Sequence, residues 1–347
     1  MSKMNNIPTS IEERLTEQLY LKKNHPVEII KNKIFNYFSD FDTLCELDPY
    51  VKTDHCFDLL RVAKDHPSRR PSDTYYKDEN TVLRTHMTAC MYPYVKEQGY
   101  KKYVVCGDVY RKDTVDATHS PAFHQIDGFS LVDDKKDTLA DLQEVLTGLV
   151  ETLFPGANYR FQADEFPFTS EALECEVELN IGGNHQWVEI LGGGVVHPEI
   201  MEKIGMKGKK AWAFGVGVER LAMILFKIPD IRLFWSKDER FLSQFKNGEE
   251  TTFKAYSKYP GIIRDLSMWI DKDFIENDFF EITRDVCDNI ESITEIDSFI
   301  HPKTKKESKC YRFIYRKFDE TMTNEDVNKI HNKILAKTKK KFKLEIR

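Results

Sequence analysis

Residues 109–129, VYRKDTVDATHSPAFHQIDGF, carry several groups that can bind a charged ligand. Arg111 and Asp113 share one face at the end of a predicted strand, and a polar connection then carries His119. A guanidinium can bind phosphate oxygens bidentately, and an aromatic ring such as that of Phe123 can stack on adenine. The stretch fits a nucleotide site, and a surface β-hairpin with ordinary polar residues is an equal alternative.

The strand after this connection adds two polar groups beside Phe123. Gln125 and Asp127 lie on the same face as Phe123, because side chains at every second position of a strand point to one side. An amide and a carboxylate in this arrangement suit an ammonium group.

The segment FGVGVERLAMIL, residues 214–225, is a second candidate for phosphate binding. Gly215 and Gly217 precede an amphipathic helix, so the backbone can approach an anion at the helix N-terminus. The third glycine of the dinucleotide fingerprint is absent, and Arg220 stands one turn into the helix. This pattern suits a triphosphate better than a dinucleotide, and a structural strand-to-helix turn is an equal alternative.

The segments EFPFTSE (165–171) and WVEILGGG (187–194) can line a pocket. Phe166 and Phe168 are expected on the same side of an extended segment, where two rings can contact a third aromatic ring edge-to-face. The glycines near Glu189 can admit a close ligand. The alternatives are buried core for the two rings and a simple turn for the glycines.

The composition limits the kind of protein that carries these groups. The chain has 347 residues, enough for about two domains, and its residues are 41% hydrophobic and 12% aromatic. The longest purely apolar run, Leu221–Phe226, is too short to span a membrane, and Met1–Ser10 has no secretory signal. The seven cysteines form no C-x-x-C pair, which favours a reducing compartment over a zinc module or a disulfide framework.

Charge is distributed unevenly along the chain. Residues 301–347 carry 15 lysines and arginines against 6 acids, a net charge of +9, whereas the whole chain has −6. The first 300 residues therefore carry −15. An acidic body with a basic end is one footprint of nucleic-acid binding, and a solvated charged surface is the alternative that charge alone favours.

Hydrophobic periodicity predicts the elements that must position these groups. A helix is predicted over residues 11–47, with a start at Pro26. Helices are also predicted at Lys136–Phe154 and after Gly217. Four β-branched or alternating runs predict an antiparallel sheet: Lys102–Val109, Gly128–Val132, Glu174–Asn180 and Gln186–Leu191.

The pattern changes beyond NGEETT (247–252), a polar stretch with the composition of a linker. Elements are then predicted in the order β-α-β-β-α-β, which is the ferredoxin-like arrangement. Their predicted bounds are Ile262–Ile270, Phe280–Ile290, Ile293–Ile300, Lys309–Tyr315, Asn324–Leu335 after a Thr323 N-cap, and Phe342–Ile346. The expected fold class is α+β, a large body followed by a small basic module.

Together these segments resemble the phenylalanyl-tRNA synthetase family of class II aminoacyl-tRNA synthetases. The motifs of the body are LRTHMT (83–88), YRKD with FHQID (110–127), FPFT (166–169), WVEILGGG (187–194) and AFGVGVERLAMILFKIPDIRLFW (213–235). Those of the tail are YPGIIRDLSMWI (259–270), DSFIHPKTKKES (297–308) and CYRFIYR (310–316). One chain that joins both parts is similar to the single-chain mitochondrial form of the family.

The resemblance implies a class II antiparallel-sheet catalytic domain (25–246), a linker (247–252), a ferredoxin-like anticodon-binding domain (253–347) and an N-terminal extension (1–24). It implies ATP-dependent activation of L-phenylalanine, with Mg²⁺, and transfer to the 3′-terminal adenosine of tRNA(Phe) by a monomer without a membrane partner. The implied location is the mitochondrial matrix, with the cytoplasm as the alternative because no presequence is evident.

The resemblance also implies roles for single residues. Arg111 would hold the ATP α-phosphate and Arg220 the γ-phosphate, and these two are the expected catalytic groups. The other implied nucleotide contacts are Asp113 on the adenine amino group, His119 near the outer phosphates, Phe123 on adenine, and Glu189. The implied phenylalanine contacts are His86, Thr88, Gln125 and Asp127 around the ammonium group, with Phe166, Phe168, Ala213, Phe214 and Gly215 at the rest of the amino-acid site.

Some positions depart from the family pattern. Asp127 stands where the family usually has Glu, and Met87 and Met91 stand where it usually has Thr and Gln. Ser170 replaces a carboxylate that helps to hold magnesium in two-subunit members, so no metal ligand is assigned. Two other functions stay open: a class II-like ligase for another acid, and an RNA-binding relative without catalysis, which the retained phosphate-binding arginines oppose.

Overall fold

The computed structural model describes residues 5–45, 48–181, 183–255, 259–317, 320–342 and 344–346. The first part of the chain forms a large sheet, with helices packed on it, and a small three-stranded sheet. Its strands are β1 (Asp42–Leu44), β2 (Tyr50–Lys52), β3 (Tyr76–Asp78), β4 (Thr81–Leu83), β5 (Lys102–Tyr110), β6 (Ala122–Val132), β7 (Tyr159–Asp164), β8 (Thr169–Ile181), β9 (Asn184–Val196) and β10 (Lys210–Gly217). Its α-helices are α1 (Thr9–Arg14), α2 (Pro26–Tyr37), α3 (Thr138–Leu153), α4 (Pro198–Lys203), α5 (Val218–Phe226) and α6 (Glu239–Leu242).

The large sheet has seven strands in the order β1-β5-β6-β10-β9-β8-β7. β1 and β5 run parallel, and the other neighbours in this sheet are antiparallel. The pairing places Gly215 of β10 opposite both Asp127 of β6 and Gly192 of β9. Residues far apart in sequence therefore meet at the centre of one sheet, as the predicted antiparallel arrangement requires.

One face of the sheet is buried beneath α2, α3 and α5. Trp212 and Phe214 of β10 belong to this core together with Leu146 of α3 and Leu221 of α5. Side chains alternate along a strand, so Ala213 points to the opposite face, where the candidate site lies.

The predicted helix over residues 11–47 is wrong in length. The chain forms α1 and α2 there, and the segment between them contains left-handed backbone at Gln18 (φ 37°) and Asn24 (φ 64°). A right-handed helix cannot continue through such residues. The predicted start at Pro26 is confirmed, whereas the periodicity predicts none of β1, β7, β10 and the small β2-β4-β3 sheet.

Part of the segment interpreted as an N-terminal extension packs on the body. Ile11 of α1 is buried with Tyr75 and Tyr110 in one apolar cluster. Residues 1–4 lie outside the described residues.

The second part of the chain forms a four-stranded antiparallel sheet in the order β12-β13-β11-β14, with two helices. Its elements are β11 (Ile262–Ile270), α7 (Glu276–Val286), β12 (Ile290–Ile300), β13 (Glu307–Tyr315), α8 (Asn324–Phe342) and β14 (Glu345–Ile346). The β-α-β-β-α-β order, and with it the ferredoxin-like fold, is confirmed. α7 begins and ends earlier than predicted, α8 extends further, and residue 343 of the predicted last strand lies outside the described residues.

Thr323 caps α8, as its position in the sequence predicts. Its hydroxyl accepts a hydrogen bond from the Asp326 N–H (3.1 Å) and donates to the Asp326 carboxylate (2.6 Å). This cap satisfies an amide of the first helical turn that has no partner within the helix. Among the described helices of the whole chain, none is both long and apolar enough to cross a membrane.

Candidate active site

Two adjoining cavities lie over β6, β9 and β10. Their volumes are about 340 Å³ and 380 Å³, and both are lined by Arg111, Gln125, Glu189 and Gly215. The cavities therefore meet at these four residues. This arrangement can hold two ligands whose reacting groups meet beside the Arg111 guanidinium.

Each of the predicted site residues lines one or both of these two cavities. The smaller cavity is lined by the residues expected to bind phenylalanine: His86, Thr88, Gln125, Asp127, Phe166, Phe168, Ala213, Phe214 and Gly215. The larger is lined by the residues expected to bind the nucleotide: Arg111, Asp113, His119, Phe123, Glu189 and Arg220. Their individual roles stay predictions.

Asp127 supplies the buried carboxylate of the smaller cavity. Only 7% of the residue is exposed, and this burial raises the pKa of Asp127 to about 7, against the opposing effects of Thr88 and Arg111. Thr88 Oγ1 donates to one carboxylate oxygen at 2.7 Å, and the other oxygen faces Gly215, where an added Cβ would lie 3.0 Å away. A buried carboxylate held in this way is suited to a charge-assisted bond with an ammonium group.

His86 and Gln125 complete the polar end of this cavity. Burial, helped by the nearby Arg111 cation, lowers the pKa of His86 to about 3, so its imidazole is neutral at pH 7. Within the described chain, His86 Nδ1 has no hydrogen-bond partner. The Gln125 side-chain oxygen accepts from the Met87 N–H at 3.2 Å. A neutral imidazole does not repel an ammonium group, so this end can bind a primary amine.

The other end of the smaller cavity is aromatic. The rings of Phe166 and Phe168 lie parallel, with centroids 5.4 Å apart and an interplanar angle of 2°. The extended segment predicted for them is a turn, in which the Thr169 N–H donates to the Phe166 carbonyl at 3.1 Å. Gly192 leaves room for the first ring, because an added Cβ would lie 2.9 Å from Phe166 Cζ.

The Phe214 side chain packs away from the candidate site. Its ring stacks on Phe38 of the core with centroids 5.3 Å apart, and the residue is 2% exposed. Gly128 accommodates this ring, since any Cβ at that position would collide with it. Ala213 and Gly215, one position to either side of Phe214, are the β10 residues that point toward the cavity.

Two guanidinium groups face the larger cavity. Arg111 Nε donates to the Thr85 carbonyl at 2.7 Å, and its guanidinium carbon lies 5.2 Å from the centroid of the Phe123 ring. Arg220 Nη1 lies 3.6 Å from the Glu189 carboxylate, and both of these side chains are about half exposed. Burial lowers the pKa of Arg111, but arginine stays charged at neutral pH. The pair can therefore bind two phosphate groups of one ligand.

Comparisons with known proteins assign the chain to a family. Residues 10–245 match the family model of the tRNA synthetases class II core domain (F), and residues 257–347 match that of the ferredoxin-fold anticodon binding domain. The chloroplastic/mitochondrial phenylalanine–tRNA ligase of Arabidopsis thaliana is 41% identical, over 99% of this chain and 83% of its own length. The mitochondrial phenylalanine–tRNA ligases of Dictyostelium discoideum and Saccharomyces cerevisiae are 35% and 32% identical, over 99% of this chain and 89% and 92% of their own lengths. This chain belongs to the phenylalanyl-tRNA synthetase family.

No sequence pattern predicted the role of a buried pair in this synthetase, His124 and Glu219. The Glu219 carboxylate accepts from the His124 backbone N–H at 2.8 Å and pairs with His124 Nδ1 at 2.6 Å. His124 is fully buried, and Glu219 is 2% exposed. Because the pair joins β6 to α5, it fixes Phe123 of the nucleotide cavity relative to Arg220. Alternation along β6, which turns His124 away from Phe123, is the signal that could have indicated this.

Two of the positions that depart from the family pattern lie in an apolar cluster. Met87 and Met91 are 0% and 2% exposed and belong to an apolar cluster with Tyr94 and Tyr103, so neither position needs a hydrogen-bonding side chain. Ser170 is exposed on β8. Across the part of the chain that the structure describes, no group of three or more His, Cys, Asp or Glu side chains could hold a metal ion.

Proposed function

We propose that this chain is a phenylalanine–tRNA ligase, which activates L-phenylalanine with ATP and transfers it to the 3′-terminal adenosine of tRNA(Phe). The observation that carries the proposal is the junction of the two cavities at Arg111. The smaller cavity, which suits an ammonium group and an aromatic ring, adjoins a cavity that two guanidinium groups face. Membership of the phenylalanyl-tRNA synthetase family supports the same reaction.

The positions of the charges account for the first step. A carboxylate oxygen of phenylalanine attacks the ATP α-phosphorus, the bond to the bridging oxygen breaks, and pyrophosphate leaves. Arg111, at the junction, would stabilise the negative charge on the α-phosphate, and Arg220 would hold the γ-phosphate. The ammonium group, bound at Asp127, and the ring, bound near Phe166, would orient the carboxylate for attack.

Magnesium fits the nucleotide cavity as an ion held mainly by ATP. Mg²⁺ in nucleotide sites is bound by phosphate oxygens, waters and one or two carboxylates, so it needs no cluster of protein ligands. Glu189 supplies a half-exposed carboxylate where the two cavities meet. Bound there, Mg²⁺ would neutralise phosphate charge.

The tRNA, the oligomeric state and the location are also part of the proposal. Residues 301–347, with a net charge of +9, belong to the ferredoxin-like part and are suited to the phosphates of the anticodon arm. One chain contains both the catalytic and the anticodon-binding parts, which supports a monomer. The names of the relatives support a mitochondrial location.

Amino-acid-dependent exchange of pyrophosphate into ATP tests the function. With the twenty amino acids supplied one at a time, we expect exchange with phenylalanine. Tyrosine should be used about 10²-fold less efficiently, because an apolar pocket rejects an added hydroxyl only weakly. Exchange that prefers a non-aromatic amino acid would indicate another ligase. Absence of exchange, together with tRNA binding, would indicate an RNA-binding relative.

Glu219→Gln should weaken the use of ATP selectively. Glutamine keeps the volume but loses the charge and one of the two acceptor oxygens that hold His124, so Phe123 and Arg220 are no longer fixed together. We expect the KM for ATP in pyrophosphate exchange to rise about tenfold, as for one lost charge-assisted bond, with the KM for phenylalanine within about twofold. Glu202→Gln, which removes an exposed partner of Lys207, is the matched control and should change neither constant. An unchanged KM for ATP in Glu219→Gln would contradict the bracing role.

A further inference from the structure

The loop between β5 and β6, residues 111–121, is held from two sides. Asp113 and His119 line the nucleotide cavity on its inner side. Residues 112–115 contact α7 and β12 of the ferredoxin-like part on its outer side. One loop therefore touches both the ATP site and the anticodon-binding part.

Arg284 of α7 makes the central contact. Its Nη1 donates to the Asp113 carbonyl at 2.6 Å and to the Thr114 carbonyl at 3.3 Å, while its Nη2 lies 3.2 Å from the Glu281 carboxylate. Glu281 in turn accepts from the buried Tyr75 hydroxyl at 2.7 Å. The Arg284 side chain is only 11% exposed, so its charge-assisted bonds to the loop are largely shielded from water.

The neighbouring loop residues, Lys112 and Val115, also contact the ferredoxin-like part. Val115 is 7% exposed and packs into the apolar core of the ferredoxin-like part beside Phe280. Its carbonyl accepts from the Ile293 N–H of β12 at 2.9 Å. The Lys112 ammonium, 5% exposed, lies 3.3 Å from the Asp278 carboxylate. Without these contacts the loop would expose an apolar side chain and lose several backbone partners.

The segment held by α7 and β12 bears on only one of the two cavities. Asp113 lines the nucleotide cavity, whereas the smaller cavity is lined by none of residues 112–115. Asp116, immediately after this segment, orients His119 by accepting from its backbone N–H at 2.9 Å. Loosening the segment should therefore mainly disturb the groups expected at adenine and the outer phosphates, because the phenylalanine site shares only Arg111 with this loop.

We propose that Arg284 is a positioning residue for the ATP step, although it belongs to the anticodon-binding part. It acts through the backbone of Asp113 and Thr114, so the affinity for ATP depends on whether that part is docked. Coupling between two equilibria is reciprocal, so ATP binding stabilises docking. This inference rests on the proposed function and extends it: the anticodon-binding part supports the nucleotide site through the backbone of one loop.

Pyrophosphate exchange by the full chain without tRNA tests the role of Arg284. Arg284→Ala should raise the KM for ATP about tenfold, the effect of losing one charge-assisted bond, and leave the KM for phenylalanine within about twofold. Arg284→Lys, which can still reach one carbonyl, should recover part of the loss. Arg312→Ala is the matched control, because Arg312 pairs with Asp265 in the same part of the chain and is half exposed. It should leave both constants unchanged.

Hydrogen–deuterium exchange of the wild-type chain gives a second test that needs no variant. The Ile293 amide is bonded across the two parts, so its exchange rate reports docking. ATP with Mg²⁺ should slow this exchange, whereas phenylalanine alone should not.

Two results would overturn the inference: equal increases in both KM values for Arg284→Ala, or no effect of ATP on the Ile293 amide. Pyrophosphate exchange by the wild-type chain with phenylalanine distinguishes a failure of the proposed function from a failure of this inference. If it is absent, the proposed function fails; if it is present and Arg284→Ala behaves as wild type, only this inference fails.

Discussion

Arg111→Ala is expected to lower the kcat/KM of phenylalanine-dependent pyrophosphate exchange about 10³-fold, the cost of removing one preorganised group that stabilises a developing negative charge. Arg111 is the cation at the point where the two cavities meet. Its Nε is fixed by the Thr85 carbonyl, so the rest of the guanidinium is already oriented toward the junction. Alanine would remove the positive charge from this junction, where the α-phosphate is expected, and with it the group that the Thr85 carbonyl orients.

Two further variants separate charge from orientation at this position. Arg111→Lys keeps a positive charge but lacks the planar fork, so it should recover only a small part of the rate. Arg160→Ala is the control, because Arg160 pairs with Glu176 on β7 and β8 and lines neither cavity. We expect it to match wild type. A loss smaller than about tenfold for Arg111→Ala would remove Arg111 from the reaction centre.

Four of the seven strands of the large sheet could be predicted from sequence because they have strong local patterns: β5, β6, β8 and β9 contain the predicted runs, whereas β1, β7 and β10 were not predicted. In the ferredoxin-like part, β11 has the predicted bounds. The helix over residues 11–47 could not be corrected from sequence. The left-handed residues in it are Gln18 and Asn24 rather than glycine, so the composition gives little warning of the break.

The sequence predicted which residues line the candidate site better than it predicted the directions of their side chains. Motif resemblance selects residues by position, and the predicted residues line the two cavities. It does not say which way a side chain points, and Phe214 packs into the core while Ala213 faces the cavity. Alternation along β10 separates these two once the structure shows the strand, and it is the stronger physical argument wherever strand residues are assigned to a pocket.

Contacts between distant segments could not be predicted at all. Glu219 lies 95 positions from His124, and Arg284 lies 171 positions from Asp113. No local periodicity relates such residues, and counting charge places Arg284 among the first 300 residues, which are acidic as a whole. The docked arrangement supplies the missing information, because it shows arginine bonds directed to backbone carbonyls rather than to solvent.

Protonation of Asp127 should cause kcat/KM for phenylalanine to fall at low pH, which forms the acid limb of the pH profile. Burial raises the pKa of Asp127 to about 7, so a large fraction of the carboxyl group in the free protein is protonated near neutral pH. An ammonium group binds the ionised form, so kcat/KM for phenylalanine should be constant above this pKa and fall about tenfold per pH unit below it. His86 cannot produce this limb, since its pKa is lowered to about 3.

Asp127→Asn should remove both the charge and the limb. The amide has the same shape but cannot ionise, so a bound ammonium group would be left without its buried counter-charge. We expect kcat/KM for phenylalanine at pH 8 to fall about 10²-fold or more, with the KM for ATP unchanged, as measured by pyrophosphate exchange between pH 5.5 and about 8.5.

Thr88→Val tests whether Asp127 is the group that titrates. The Thr88 hydroxyl lowers the pKa of Asp127 by donating to its carboxylate, so its removal should move the acid limb to higher pH without abolishing it. If Asp127→Asn kept the fall in kcat/KM at the same pH, the titration would belong to another group. A limb that stays in place in Thr88→Val would show that the hydroxyl does not support the ionised carboxylate, because a group that stabilises the charged form must change the pH at which that form appears.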